Sequence, residues 1–127
     1  MSRAQVALEF VGIVMMLIVL IASMAWTAYA LFASYSEERN LKNLQDLGYS
    51  LQNEIILASH FETGYLRNIT VPEQINGVDV NISGDENEIF ITYKNNDLVF
   101  TIPEVTGAFQ TGPNMISKLE DGSIQIS

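Results

Sequence analysis

No cysteine occurs among the 127 residues. Disulfides, thiolate metal sites and cysteine nucleophiles are therefore excluded. Proline is scarce, three in all, and none precedes Pro72, so nothing before that point forces a helix to break. Histidine occurs once, at His60. With no second catalytic group beside it in the sequence, a surface or helix-capping role is expected rather than that of a base. Positive charge is also scarce: six Lys and Arg stand against 15 Asp and Glu, a net charge of −9. That balance argues against nucleic acid as a partner, because phosphate binding needs a basic footprint. It argues equally against docking of the acidic part on an anionic lipid surface. There is no glycine-rich phosphate loop and no metal-ligand spacing. Asp85, Asn87 and Glu88 offer oxygens, but the rest of a calcium loop is missing, so an ordinary solvated turn is expected there. The chain reads as a non-enzyme without cofactor or metal.

The longest absence is of charge. From Phe10 through Ser36 no side chain is ionisable as an acid or a base of the Asp, Glu, Lys or Arg type. As a helix, Phe10–Phe32 would extend about 35 Å at ~1.5 Å per residue, enough to cross a bilayer with some tilt. Trp26, Tyr29 and Tyr35 gather at its far end, as in an interfacial aromatic belt. Ala22, Ser23, Ala25, Thr27 and Ala28 supply small side chains that permit close helix approach. The overall composition, 48% hydrophobic with a mean hydropathy of +0.19, suits a single-span protein. Residues 37–127 hold 14 of the 15 acidic and five of the six basic side chains. Arg3 and the amino terminus lie on the other side of the run. Positive charge marks the cytoplasmic side, so the N-terminus is expected inside and the acidic part outside.

Three readings of the apolar run stand open. It is a secretory signal cut after Ala28-Tyr29-Ala30, although it is about twice a usual signal core in length. It is an uncleaved single-span anchor. Or it is the retained core helix of a polymer. Glu9 bears on the choice, because a carboxylate at the edge of a span is costly without a partner. It could also snorkel into cytoplasmic water.

The segment Arg3-Ala4-Gln5-Val6-Ala7-Leu8-Glu9-Phe10 resembles the processing site of archaeal type IV pilin-like proteins with a class III signal peptide. In that family a short basic leader and a small residue precede the cut, Gln takes mature position one and Glu mature position five. Ala4 would precede the cut, Gln5 would become the new terminus, and Glu9 falls at the fifth position. The match spans about eight residues and the apolar run after them. It departs from the commonest pattern at Ala4, often Gly, and at Ala7, often Ser; small replaces small in both cases. The resemblance implies a prepilin peptidase as first partner, cutting ahead of the helix so that the helix is retained. It further implies an assembly ATPase, a membrane platform protein, and a homo-oligomeric filament or co-assembly with other pilins; the small size of the head favours an adhesive filament over a swimming one. Before assembly such a protein sits in the membrane. Physics supplies a use for Glu9: the new α-amine of a neighbour's Gln5 would compensate it and set axial register. Gln5 and Glu9 are offset by ~6 Å along a helix. Cyclisation of the terminal Gln would remove that amine's charge.

Beyond Ser36-Glu37-Glu38-Arg39-Asn40, Leu41, Leu44, Gly48, Leu51, Ile55 and Ala58 form an approximate heptad stripe, widened by Leu47 and Ile56. One helix from about Val6 to His60, ~80 Å long, is expected. Its outer half is expected against the chain's own C-terminal part, and the region near Gly48 against neighbouring subunits. After Gly64 the period becomes two. Val78/Val80/Ile82, Ile89/Ile91/Tyr93 and Leu98/Phe100/Ile102 predict strands, linked by turns at 83–87 and 94–97. Tyr65–Val71 is placed as an opening strand and Ser123–Ile126 as a closing one after Asp121-Gly122. Residues 103–119 show little period and are expected as a surface loop.

The fold class is therefore α+β: a long N-terminal helix followed by a small antiparallel head, of type IV pilin-like form. Residues 1–4 are assigned to a leader, 5–36 to the hydrophobic helix, 37–63 to its amphipathic extension and 64–127 to an extracellular antiparallel β head. Asn68-Ile69-Thr70 and Asn81-Ile82-Ser83 match N-x-[ST], making Asn68 and Asn81 candidate glycan acceptors if the head lies outside. Asn81, in an expected strand, would need its side chain on the solvent face. The rival to a filament subunit is a monomeric membrane-anchored binding module.

Overall fold

A computed structural model describes residues 2–127. The described chain divides into two compact units, the first ending at Glu38 and the second running Arg39–Ser127. One helix, α1 (Arg3–His60), passes through both. No proline or strongly competing polar run interrupts it, and its last turn is closed from outside. Lys118 Nζ donates to the carbonyls of Ser59 and Phe61, each at 2.8 Å. A cation on orphan C-terminal carbonyls satisfies them and complements the helix dipole. His60 is exposed at the same end, and its Nδ1, as the protonated tautomer, donates to the Ile56 carbonyl at 2.8 Å.

In the second unit the helix is amphipathic. Asn40, Leu44, Gly48, Leu51, Ile55 and Ala58 are buried, at steps of three and four residues that keep one face inward. The expectation that the region near Gly48 faces neighbours is corrected. A Cβ on Gly48 would lie 2.1 Å from Phe100 Cε2, so the chain's own head already fills that position. The stripe from Leu41 to Ala58 packs on its own domain, with Leu47 against the same core and Ile56 left exposed.

Nine short strands complete the unit. β1 (Leu66–Val71) is followed by the hairpin β2 (Gln74–Ile75) and β3 (Val78–Asp79). Then come β4 (Asn81–Asp85), β5 (Glu88–Tyr93) and β6 (Asn96–Thr101), and after them β7 (Val105–Thr106), β8 (Gly112–Lys118) and β9 (Ile124–Ile126). β4-β5-β6 is an antiparallel meander as expected, although its first strand is Asn81–Asp85 rather than one running through Val78, Val80 and Ile82, and the larger of the other two sheets has the order β1-β8-β9-β7. Its β7–β9 pair is parallel, whereas the other pairs are antiparallel. Ile89, Ile91 and Tyr93 alternate inward along β5. They join Leu44, Leu51 and Ile55 from the helix and Val71, Ile116 and Ile126 from the second sheet in one hydrophobic core.

Three sequence expectations change. Val78, Val80 and Ile82 keep their alternating burial but do not form one strand. Val78 pairs within β2–β3 and Ile82 within β4–β5, and between them the Val80 amide donates to Glu73 O at 2.9 Å. The turns are shorter than 83–87 and 94–97, because strand pairing continues to Asp85↔Glu88 and Tyr93↔Asn96. Most changed is 103–119, which is no surface loop. It contains β7 and β8, and Val105, Phe109, Asn114 and Ile116 are buried there.

The weak period in that stretch has a physical cause. β8 places Asn114 on the core side and Met115 outside, so the apolar pattern is locally inverted. Asn114 is paid for by its own turn: Oδ1 accepts the Gln110 amide at 2.9 Å, and Nδ2 donates to Gln110 O at 2.7 Å and Gly112 O at 2.9 Å. Asn114→Leu keeps the volume but strands these backbone groups, each costing about 1–3 kcal/mol. A loss of ~2–3 kcal/mol in head stability is expected, read from denaturant unfolding of the detergent-solubilised chain. An unchanged unfolding midpoint would contradict this account of the turn.

Candidate membrane and assembly segment

Residues 3–38 are exposed on every side of the helix. An 18-residue window reaches a mean hydropathy of 2.6 with none of it buried. α1 is thus a helix near the N-terminus long and apolar enough to cross a membrane, which fits a membrane-anchored protein. A helix apolar all round needs a non-aqueous environment, either lipid or other helices. Its few polar groups are already compatible with one. Ser23 Oγ donates to Leu20 O at 2.8 Å, and Thr27 Oγ1 to Ser23 O at 2.9 Å. Neither hydroxyl proton would be stranded in hydrocarbon. Trp26, Tyr29 and Tyr35 are exposed at the end nearer the head.

Ala4, Gln5 and Glu9 all lie in the first turns of α1 and are exposed. The Gln5 amide donates to Ser2 O at 3.1 Å, so the bond between Ala4 and Gln5 lies in the first turn of α1. Glu9 is four residues on, so the two side chains share a face. Among the described residues Glu9 has no ion pair or hydrogen bond of its own side chain.

The head side of α1 is held by polar contacts that hydrophobic periodicity does not register. Asn40 Nδ2 donates to the Tyr93 hydroxyl at 3.1 Å, while Asn76 Nδ2 donates to Asn40 Oδ1. Asn76 and Gly77 both take positive φ, 51° and 78°, as the two-residue hairpin between β2 and β3 requires. The Asn-Gly dipeptide was the signal available for that turn. Farther along, Glu54 accepts from Arg67 Nε at 3.2 Å and from the Tyr65 hydroxyl at 3.3 Å. Partial burial, and then the Glu54 carboxylate beside it, push the Tyr65 hydroxyl above its usual range. At the Asp121-Gly122 turn, the Ser123 hydroxyl and amide hold the Asp121 carboxyl below the usual range.

Asn68 lies in β1 and Asn81 in β4, and both side chains are exposed. Asn81 therefore meets the requirement of a solvent-facing position in its strand. Compared with protein families, curated proteins and solved structures, the chain matches none.

Proposed function

We propose that this chain is a structural subunit of an archaeal type IV pilus-like filament, processed between Ala4 and Gln5 and polymerised through its N-terminal helix. The observation that carries the reading is the fully exposed, uncharged stretch from Phe10 to Ser36, continuous with the helix that builds the head's own core. The Gln5 and Glu9 positions, one helical turn apart at the start of that stretch, support it. Before assembly the helix spans the membrane with the N-terminus in the cytoplasm. After assembly the helices form the filament core and the acidic heads its outer surface, in an adhesive role.

Leaving lipid for other apolar helices brings little hydrophobic gain, so packing and polar pairing must favour the polymer. The head needs no neighbour to close its core, since Leu44, Leu51 and Ile55 are already buried within it. Assembly therefore joins finished domains through the exposed helix. A prepilin peptidase, an assembly ATPase and a membrane platform protein are the partners this reading requires.

Intact mass and N-terminal sequencing of the membrane-extracted protein test it. A chain starting at Gln5 is expected. A start at Leu31 would make the head a secreted soluble domain. A start at Met1 or Ser2 would make the chain a plain membrane anchor for a binding module. Either result ends the filament reading.

A further inference from the structure

We infer that Asn76 is a deamidation site held in check by Asn40, and that the Asn40–Tyr93 pair accepts the aspartate product by reversing its hydrogen bonds. The inference concerns the head's own chemistry and stands whether or not the chain forms a filament.

Asn76-Gly77 is the sole Asn-Gly pair in the sequence. Asparagine is thermolabile, because the amide nitrogen of the next residue can attack its side-chain carbonyl carbon. Glycine hinders that attack least, having no Cβ. The structure leaves this nucleophile open. Gly77 is exposed, and a Cβ built on it would meet nothing within 4 Å. Its amide donates no hydrogen bond among the described residues. The last ladder pair of the hairpin is Ile75↔Val78, so the ladder does not engage residue 77.

The restraint lies on the other reactant. Asn76 Nδ2, the atom that must leave, donates to Asn40 Oδ1. Asn40 is only 7% exposed and is itself fixed, donating through Nδ2 to the Tyr93 hydroxyl at 3.1 Å. Tyr93 is 2% exposed in the core. A carboxamide tied to two buried side chains must break that tie before it can turn toward the Gly77 nitrogen.

The reaction balances with water as its one co-reactant. Gly77 N bonds to Asn76 Cγ and gives its proton to a base. The Cγ–Nδ2 bond breaks, and the nitrogen leaves with the bonding pair and a proton, as ammonia. Water then opens the cyclic imide at either carbonyl, leaving an aspartyl or an iso-aspartyl linkage at position 76.

The two products differ in what they do to the head. An aspartate carboxylate only accepts, so against Asn40 Oδ1 it would set acceptor against acceptor. Asn40 carries both an oxygen and an amino group, and the Tyr93 hydroxyl both donates and accepts. Turning the Asn40 amide over lets Nδ2 donate to the new carboxylate and Oδ1 accept the Tyr93 proton. No buried group is stranded. The iso-aspartyl product instead adds a backbone carbon to a two-residue turn that needs positive φ at both positions, here 51° and 78°. It breaks the hairpin register and releases β2–β3 from Asn40.

Ageing the full-length chain in detergent at mildly alkaline pH, with peptide mapping of residue 76 over time, provides the test. Wild type is compared with Asn40→Asp, which keeps an acceptor for Asn76, and with Asn40→Leu, which removes it. Circular dichroism verifies that each retains its helix and sheet, and Asn40→Ala replaces Asn40→Leu if the larger side chain prevents folding. The variant without an acceptor should deamidate several-fold faster, and Asn40→Asp at the wild-type rate. Equal rates in the wild type and the folded acceptor-free variant overturn the check by Asn40. So does an Asn40→Asp variant as fast as the acceptor-free one, or an Asn76 that stays intact when the wild type is aged in urea. The reversal is read separately. Asn76→Asp should unfold later in denaturant than Asn76→Gly, which keeps the positive φ but has no side chain. An Asn76→Asp chain no more stable than Asn76→Gly overturns it.

Discussion

Replacing Glu9 by Ala should abolish filament assembly while leaving the chain in the membrane. Glu9 is the only acidic residue before Glu37, and its side chain has no partner of its own among the described residues. In a packed helical core its charge would be costly unless the α-amine of a neighbouring Gln5 meets it. Breaking a buried pair by removing one partner costs about 3–5 kcal/mol, because the other charge stays behind uncompensated. At about 1.4 kcal/mol per factor of ten, one such contact lowers the association constant by two orders of magnitude or more. The apolar run does not contain Glu9, so membrane retention should be untouched. Polymer recovered from cell surfaces, compared with subunit in the membrane fraction, reads both quantities. Wild-type polymer yield from Glu9→Ala would remove the pairing from the assembly mechanism. Glu9→Gln should behave as Ala does, which separates loss of charge from loss of side-chain volume.

Gly48→Ala should destabilise the head, although Ala is the better helix former. The intrinsic helix preference favours the substitution by ~1 kcal/mol. Against it, the new methyl would meet Phe100 Cε2, Cζ and Cδ2 at 2.1, 2.2 and 2.7 Å. The ring is the movable end of a side chain, but it is not loose. Phe100 is buried, and Tyr49 packs edge-on against it with centroids 5.2 Å apart. Overpacking of this kind costs about 1–3 kcal/mol, so steric displacement wins over propensity. A drop in melting temperature of about 5 °C is expected for a domain of this size. Phe100→Leu combined with Gly48→Ala should recover part of the loss, because the shorter side chain vacates the space the methyl needs. If Gly48→Ala alone raises the melting temperature, the ring yields freely and the close approach is not a constraint.

The helix and the two later strands of the meander were legible in the amino-acid pattern because each obeys one local period, whereas the first, Asn81–Asp85, was displaced by the hairpin that takes Val78. A proline-free run followed by Leu44, Leu51, Ile55 and Ala58 at heptad-like spacing leaves a helix as the consistent structure. Ile89, Ile91 and Tyr93 in strict alternation do the same for β5. β8 was not legible, because its core-facing Asn114 and outward Met115 oppose the usual pattern. Its existence depends on pairing with β1 and β9, which lie far from it or follow it in the chain. The Asn40–Tyr93 contact was hidden for the same reason, since it joins residues 53 positions apart.

Local order along the chain thus determined where charge is absent, where the helix can run, which strands alternate, and where a Gln and a Glu stand one turn apart. Tertiary structure alone decided what those positions face. It turned Gly48 toward Phe100 rather than toward a neighbour, drew Asn114 inward, and set Asn68 outward on β1. A side chain's period records only its own element's geometry. Which surface that element meets depends on contacts between distant residues, and those contacts follow from how close-packed layers fit.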